Sequence, residues 1–217
     1  MDSTPSPKTV VQCDFDGTVT DRDVAFLMLD TFARGNWRRI HKQYEDGRIT
    51  VGQFNEQSFA LVRATREQLL SVIKGNIGIR PGFLDLVAGC RGKGFRLAIV
   101  SNGLDFYIES ILQDLGVTGV EVYAARTTFA DRRVSVQYIG PDGQPLDDGF
   151  KEAYVRLFHR QGNRVVYIGN GTSDFRPASL CEVVFATDRL AWYCRRQQSG
   201  CIEFESFNDV VNVLETL

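Results

Sequence analysis

The chain has 217 residues, 43% of them hydrophobic and 24% charged, with a formal net charge of -2. That length suits one main core with a modest appended subdomain, and so small a charge offers no attraction for nucleic acid or an anionic membrane. No apolar run reaches membrane-spanning length, and the opening MDSTPSPKTV lacks the apolar stretch of a secretory signal, so it reads as a short frayed tail. The five cysteines, at 13, 90, 181, 194 and 201, are odd in number and show no C-x-x-C spacing. They read as buried thiols rather than a disulfide framework or a zinc site, and the chain as cytoplasmic.

In chain order, the first element is a short β-branched run, residues 10–13, that stops at Asp14. Residues 22–78 then carry helical signals only. Val24, Leu27, Met28 and Phe32 make one face, and Trp37, Ile40 and Tyr44 make a second. Thr50 with Gln53 and Thr65 with Gln68 form two capping boxes that open two more helices. FRLAIVSNG is a buried strand ending at Ser101. Leu104, Ile108, Ile111, Leu112 and Leu115 predict a helix over 104–115 with Gly116 as its stop. VEVYA at 120–124 is a further strand, and VSVQYIGPDGQPLDDG reads as a strand, a Pro-Asp-Gly turn and a loop to Lys151. A helix over 150–160, a strand ending at Gly169, the short runs EVVFA and CIEF, and a helix over 207–216 complete the pattern. Such alternation predicts an α/β fold with a mainly parallel sheet covered on both faces. Residues 1–21 and 79–217 form the expected Rossmann-like core. Residues 22–78 form a helical cap subdomain inserted after the first strand, with hinges near Asp21 and near Pro81-Gly82. Sites in open α/β sheets form beyond the carboxyl ends of strands, which places Asp14, Ser101 and the 169–174 loop on one rim.

Two carboxylates, Asp14 and Asp16, stand one residue apart where that first strand stops. Like charges so placed require a cation or a reaction. The residues DFDGT at 14–18, SNG at 101–103, Lys151 in GFKEAYV and GNGTSD at 169–174 occur in the order of four motifs, and with them the chain resembles the phosphatases of the haloacid dehalogenase superfamily. The helical insert resembles the small cap of the phosphoserine-phosphatase-like branch. FARGNWRRIHKQYEDGRIT, RPGF and VVFATDRLAWYCRRQQSGC look most like the MtnX-like group, which includes phosphatases acting on 2-hydroxy-3-keto-5-methylthiopentenyl-1-phosphate.

The resemblance implies a Mg²⁺-dependent phosphomonoester phosphatase that works through an aspartyl-phosphate on a small phosphorylated metabolite. The alternatives within that class are a phosphoserine phosphatase and a phosphatase of a specialised biosynthetic pathway. The implied nucleophile is Asp14 and the implied acid and base is Asp16. Mg²⁺ would take the Asp14 carboxylate, the Asp16 main-chain carbonyl and Asn170, with Asp174 as a further ligand or the holder of a metal-bound water. Ser101 would hydrogen-bond the phosphate with help from the Asn102 and Gly103 amides, Lys151 would pair with the phosphate and Asp14, and Gly17 and Thr18 would let the backbone approach closely. Asp23 reads equally as a substrate contact and as a first-turn helix charge. Asp174 reads alternatively as a cap for the FRPASL helix, and Arg80 as a contact for a second anionic group. Trp37, Tyr44 and Phe54 read as cap core ahead of substrate wall, and His41 and His159 as solvated.

One position departs from the family pattern. Asn170 stands where the family has Asp, and it offers a carbonyl oxygen without charge. It reads as a tolerated neutral ligand, as a mark of weakened or specialised catalysis, or as an inactivating change. The last reading opens a second class, a non-catalytic phosphate-binding protein on the same fold.

Overall fold

The computed structural model describes residues 8–217, so residues 1–7 of the opening tail lie outside the described residues. Seven strands, β1 (Thr9–Cys13), β2 (Arg96–Leu104), β3 (Glu121–Ala130), β4 (Arg133–Gln137), β5 (Arg164–Gly169), β6 (Val183–Ala186) and β7 (Ile202–Glu203), form one sheet in the order β4-β3-β2-β1-β5-β6-β7. All neighbours are parallel except β3 and β4. The expected α/β class and mainly parallel sheet are therefore present. β1 lies in the middle, and every one of its residues is buried, as a strand covered on both faces must be.

Four helices, α1 (Val24–Phe32), α2 (Trp37–Glu45), α3 (Val51–Phe59) and α4 (Arg66–Ile73), fill the stretch between β1 and β2 ahead of α5 (Phe83–Gly92). Both expected capping boxes are formed, at Thr50 with Gln53 and at Thr65 with Gln68. The two ends of the stretch lie side by side: Asp21 N donates to Gly78 O at 3.0 Å, and Arg80 N donates to Val19 O at 2.8 Å.

The remaining helices are α6 (Asp105–Asp114), α7 (Phe150–Arg160), α8 (Phe175–Ala178), α9 (Asp188–Gln197) and α10 (Phe207–Leu214). The reading of the sequence did not contain α5 or α9. In α9 only Leu190, Ala191 and Cys194 are buried, which is too short an apolar stripe to stand out among the charges of DRLAWYCRRQ.

The largest departure is at the sheet edge. β3 does not stop at 124 but continues to Ala130 and turns back into β4 through Asp131 and Arg132, at φ 49° and 61°. Both central residues of this two-residue hairpin are left-handed, the conformation such turns require. The polar run Arg126-Thr127-Thr128 concealed it, because an antiparallel edge hairpin needs only one apolar face. The hairpin carries the helical insert. α3 packs on β4, Ala64 N donates to Arg132 O in the turn at 3.1 Å, and the loop after β4 adds Asp147 O, which accepts from Gly52 N at 2.9 Å.

Candidate active site

Three strand ends and one helix start converge on a cleft of about 320 Å³. β1 contributes Asp14, Asp16 and Gly17, β2 contributes Ser101, Asn102 and Gly103, β5 is followed by Asn170 and Gly171, and α7 contributes Lys151. The β2–β3 ladder breaks between Val100 and Leu104, which frees the backbone of Ser101–Gly103 from pairing there.

Asp14 sits at the base. Its amide donates to Ile168 O at 2.9 Å, and its Oδ1 pairs with Lys151 Nζ at 2.8 Å. Its Oδ2 accepts from no donor among the described residues. Burial raises its carboxyl to about 7, against the lowering by Lys151. Lys151 is itself only 3% exposed and lies between Asp14 Oδ1 and Asp174 Oδ1, the latter at 2.7 Å. Burial opposes its charge, but the two carboxylates outweigh it and hold the ammonium above its ordinary range.

Asp16 is clamped at both oxygens. Oδ1 accepts from Val24 N at 2.9 Å, and Oδ2 from the Tyr107 hydroxyl at 2.5 Å. Burial first, and then the neighbouring Asp23, raises its carboxyl to about 7. Asp23 stands at the N-cap of α1 rather than in its first turn. It N-caps α1 by accepting from Phe26 N at 2.8 Å, and it lines the cleft.

Gly17 is at φ +75°, and a Cβ there would run into the Asn170 amide nitrogen, so this bend requires glycine. Thr18 is buried and does not line the cleft. Its hydroxyl donates to Asn170 Oδ1 at 3.1 Å and so orients the amide. Gly103 N donates to Ser101 Oγ at 2.9 Å. That amide, expected to reach a phosphate, instead orients the Ser101 hydroxyl so that its proton is free for the cleft. Asn102 O accepts from Tyr138 OH at 2.5 Å and from Asn55 Nδ2 at 3.1 Å, while its Oδ1 is buried without a partner.

Asp174 differs from both expectations. Oδ1 accepts from Lys151 and from Tyr167 OH at 2.6 Å, and Oδ2 accepts from Asn170 N at 3.0 Å and Gly171 N at 2.8 Å. It is wholly buried, is not part of the cleft wall, and makes no side-chain cap bond to α8. With both oxygens in use it anchors Lys151 and the 170–171 backbone rather than facing a cation. Arg80 is also committed elsewhere: it donates to Thr18 O at 2.7 Å, Gly17 O at 2.8 Å and Glu205 O at 3.0 Å, bracing the loop after β1 instead of meeting a second anionic group.

The insert supplies the opposite wall through Phe26, Tyr44, Val51, Phe54 and Asn55. Of the three aromatics read as cap core, Tyr44 and Phe54 are wall, stacked with ring centroids 5.7 Å apart. Phe54 is at once wall and buried core, whereas Trp37 is core without lining the cleft, its Nε1 donating to Asp30 at 3.0 Å. His41 is not solvated: it packs 4.8 Å from Phe26 and 5.2 Å from Phe54, and burial lowers its pKa. Tyr107, Asn55, Tyr138 and Tyr167 were absent from the reading of the sequence. Tyr107 carried one available signal, a polar atom on the apolar face of a helix next to a reactive strand end.

No group of three or more His, Cys, Asp or Glu among the described residues could hold a metal ion. The donors that remain are oxygens: the free Asp14 Oδ2, the second lone pair of Asn170 Oδ1 and the main-chain carbonyl of Asp16. An all-oxygen set with few carboxylates fits a hard cation that keeps several waters, as Mg²⁺ does. Asp14, Asp16 and Asp23 also place more negative charge on the cleft than Lys151 neutralises.

Comparison with known proteins matches residues 11–178 to the haloacid dehalogenase-like hydrolase family. The chain is 28% identical over 214 residues to the 2-hydroxy-3-keto-5-methylthiopentenyl-1-phosphate phosphatase of Brevibacillus brevis, covering 97% of this chain and 96% of that one. It is 29% identical over 211 residues to the protein of the same name from Exiguobacterium sibiricum, covering 95% and 96%. Among solved structures, a phospho-aspartyl intermediate analogue of phosphoserine phosphatase superposes with a TM-score of 0.71 at 18% identity, covering 96% of this chain and 99% of that one. At that identity the likeness is one of fold.

Proposed function

The chain belongs to the haloacid dehalogenase-like hydrolase family and is a phosphatase, and we propose that it hydrolyses a small phosphomonoester through an aspartyl-phosphate on Asp14. The observation that carries this reading is the Asp14 carboxylate, with Oδ1 held by Lys151 and Oδ2 free at the base of the cleft. Asp14 Oδ2 attacks phosphorus in line with the ester oxygen, and the P–O ester bond breaks. Asp16, whose carboxyl is raised to about 7, gives its proton to the departing oxygen. Water then attacks the phosphoryl group on Asp14 while Asp16 takes a proton back, releasing phosphate and restoring the Asp14 carboxylate and the protonated Asp16. Lys151 and the Ser101 hydroxyl hold the phosphoryl oxygens. We assign Mg²⁺ to Asp14, the Asp16 carbonyl and Asn170, where it would neutralise phosphoryl charge. Residues 22–78 act as the cap that excludes bulk water.

For the substrate we propose 2-hydroxy-3-keto-5-methylthiopentenyl-1-phosphate, the compound in the names of the curated relatives. The wall of Phe26, Tyr44, Val51 and Phe54 supports it, since an apolar tail gains from that surface and the charged amino and carboxyl groups of phosphoserine do not. A second reading, phosphate-ester binding without turnover, has one observation in its favour, the neutral Asn170.

The test is hydrolysis of p-nitrophenyl phosphate and of a panel of phosphorylated metabolites, with and without Mg²⁺. Wild type should turn over with Mg²⁺, Asp14→Asn should be inert, and Asn170→Asp should lower the Mg²⁺ needed for half-maximal rate by about tenfold, since an added ligand charge tightens hard-cation binding. Inert wild type beside active Asn170→Asp would give the field to the binding-protein reading.

A further inference from the structure

We propose that Tyr107 is a positioning residue for Asp16, holding that carboxylate in the orientation from which it serves the leaving oxygen. The inference rests on the reading of Asp16 as general acid.

Tyr107 lies on α6, one turn after the Ser101–Gly103 segment, and is wholly buried. Its ring packs 5.5 Å from Phe106 and 6.5 Å from Phe15. Phenylalanine would satisfy that packing equally well. A buried hydroxyl carries a desolvation cost unless it is hydrogen-bonded, and among the described residues the Tyr107 hydroxyl donates only to Asp16 Oδ2, at 2.5 Å. The hydroxyl is therefore explained by Asp16 and by nothing in the core.

Two further features converge on the same contact. Val24 N, at the start of α1, donates to Asp16 Oδ1, so the carboxylate is gripped from the insert side and from the α6 side at once. Gly103 passes so close that a Cβ there would collide with both the Tyr107 hydroxyl and Asp16 Oδ2. Only glycine leaves room for the pair, which gives Gly103 a second duty beside its bond to Ser101. With one donor on each oxygen, rotation of the Asp16 carboxyl would break a hydrogen bond to a fixed partner. Asp16 so held lines the cleft. Loss of the Tyr107 hydroxyl frees one end of the carboxylate, and a misplaced proton donor is felt in proportion to how much the leaving group needs the proton.

That dependence separates positioning from packing. The measurement is kcat/KM, which covers the steps up to release of the leaving group and excludes the later hydrolysis of the phospho-enzyme, for aryl phosphates from p-nitrophenyl to phenyl. Wild type, Asp16→Asn and Tyr107→Phe are compared, with melting temperatures as the control for folding. Asp16→Asn should lose most on phenyl phosphate. Tyr107→Phe should steepen in the same sense, losing roughly tenfold more on phenyl than on p-nitrophenyl phosphate, an order of magnitude within the range of proton-transfer catalysis. Gly103→Ala, a second route to displacing the pair, should steepen likewise. Tyr107→Phe running parallel to wild type while Asp16→Asn steepens overturns the role of Tyr107 and leaves the acid in place. Asp16→Asn failing to steepen removes the acid reading, and this inference with it.

Discussion

Asp174 shows how a residue can be indispensable to a site without facing it. Its two oxygens satisfy an ammonium, a phenol and two amides in a region with no solvent access. Asp174→Ala would strand the Tyr167 hydroxyl and both amides and leave Lys151 with Asp14 as its one charged partner, and removing one partner of a buried charge pair typically costs about 3–5 kcal/mol. Urea unfolding should show a loss of that size, and Asp174→Asn, which keeps one acceptor, should lose less. Asp23 makes a prediction of opposite character. Burial is the main cause that raises its carboxyl to about 6 from 3.8, with Asp14 adding to it. A group whose folded pKa lies above its unfolded value contributes stability at low pH that is lost as pH rises through the folded pKa. In metal-free protein, the Asp23 contribution should therefore fall between about pH 4 and pH 6. Asn keeps a capping oxygen and does not titrate. Melting curves should accordingly show Asp23→Asn gaining on wild type across that window and the difference levelling off above it.

At the scale of elements, α3 joins fold and function. Its N-terminus is set by a capping box that is legible in the sequence, yet its position is set by Gly52, where a Cβ would stand 2.8 Å from Asp147 O and 2.9 Å from its Cα. Backbone on the far side cannot give way as a side-chain tip would, so Gly52→Ala must push α3 away from the loop that carries Asp147. Overpacking of this kind costs about 1–3 kcal/mol. Because Val51, Phe54 and Asn55 ride on the same helix and line the cleft, the substitution should also raise KM, which steady-state kinetics on the best substrate of the panel would read. The β3–β4 hairpin that receives α3 was only half visible beforehand. VSVQ reads as a strand, but the polar residues of its partner do not, and a turn built on Asp131 and Arg132 lacks the glycine that usually announces it.

Across the whole molecule, the sheet rim supplies the reacting groups and the insert supplies the surface against which the rest of a substrate lies. The two halves should therefore separate in kinetics. Phe54→Ala removes part of the aromatic wall while leaving Asp14, Asp16 and Lys151 in place. It should raise KM by about tenfold for a substrate with an apolar tail, the worth of roughly one buried aromatic face, with a smaller change in kcat. Equal losses in both constants would show that the wall acts on the chemistry itself.

The sequence alone determined the class of fold, the helical stretch after the first strand, both capping boxes of α3 and α4 and the rim on which Asp14, Ser101 and Asn170 meet. Each of these rests on local signals: apolar periodicity, hydrogen bonds within a few residues and the rule that sites form at strand ends. Tertiary structure alone decided that Tyr107 grips Asp16 across 91 residues of chain, that Asn55 reaches Asn102 across 47 and that Asp174 is spent on Lys151 across 23. It also decided which aromatics face the cleft, since Trp37 and Tyr44 lie on one helix and only packing against α1 and α3 tells core from wall. Such choices depend on where two distant elements are brought together, and no pattern within either element records that distance.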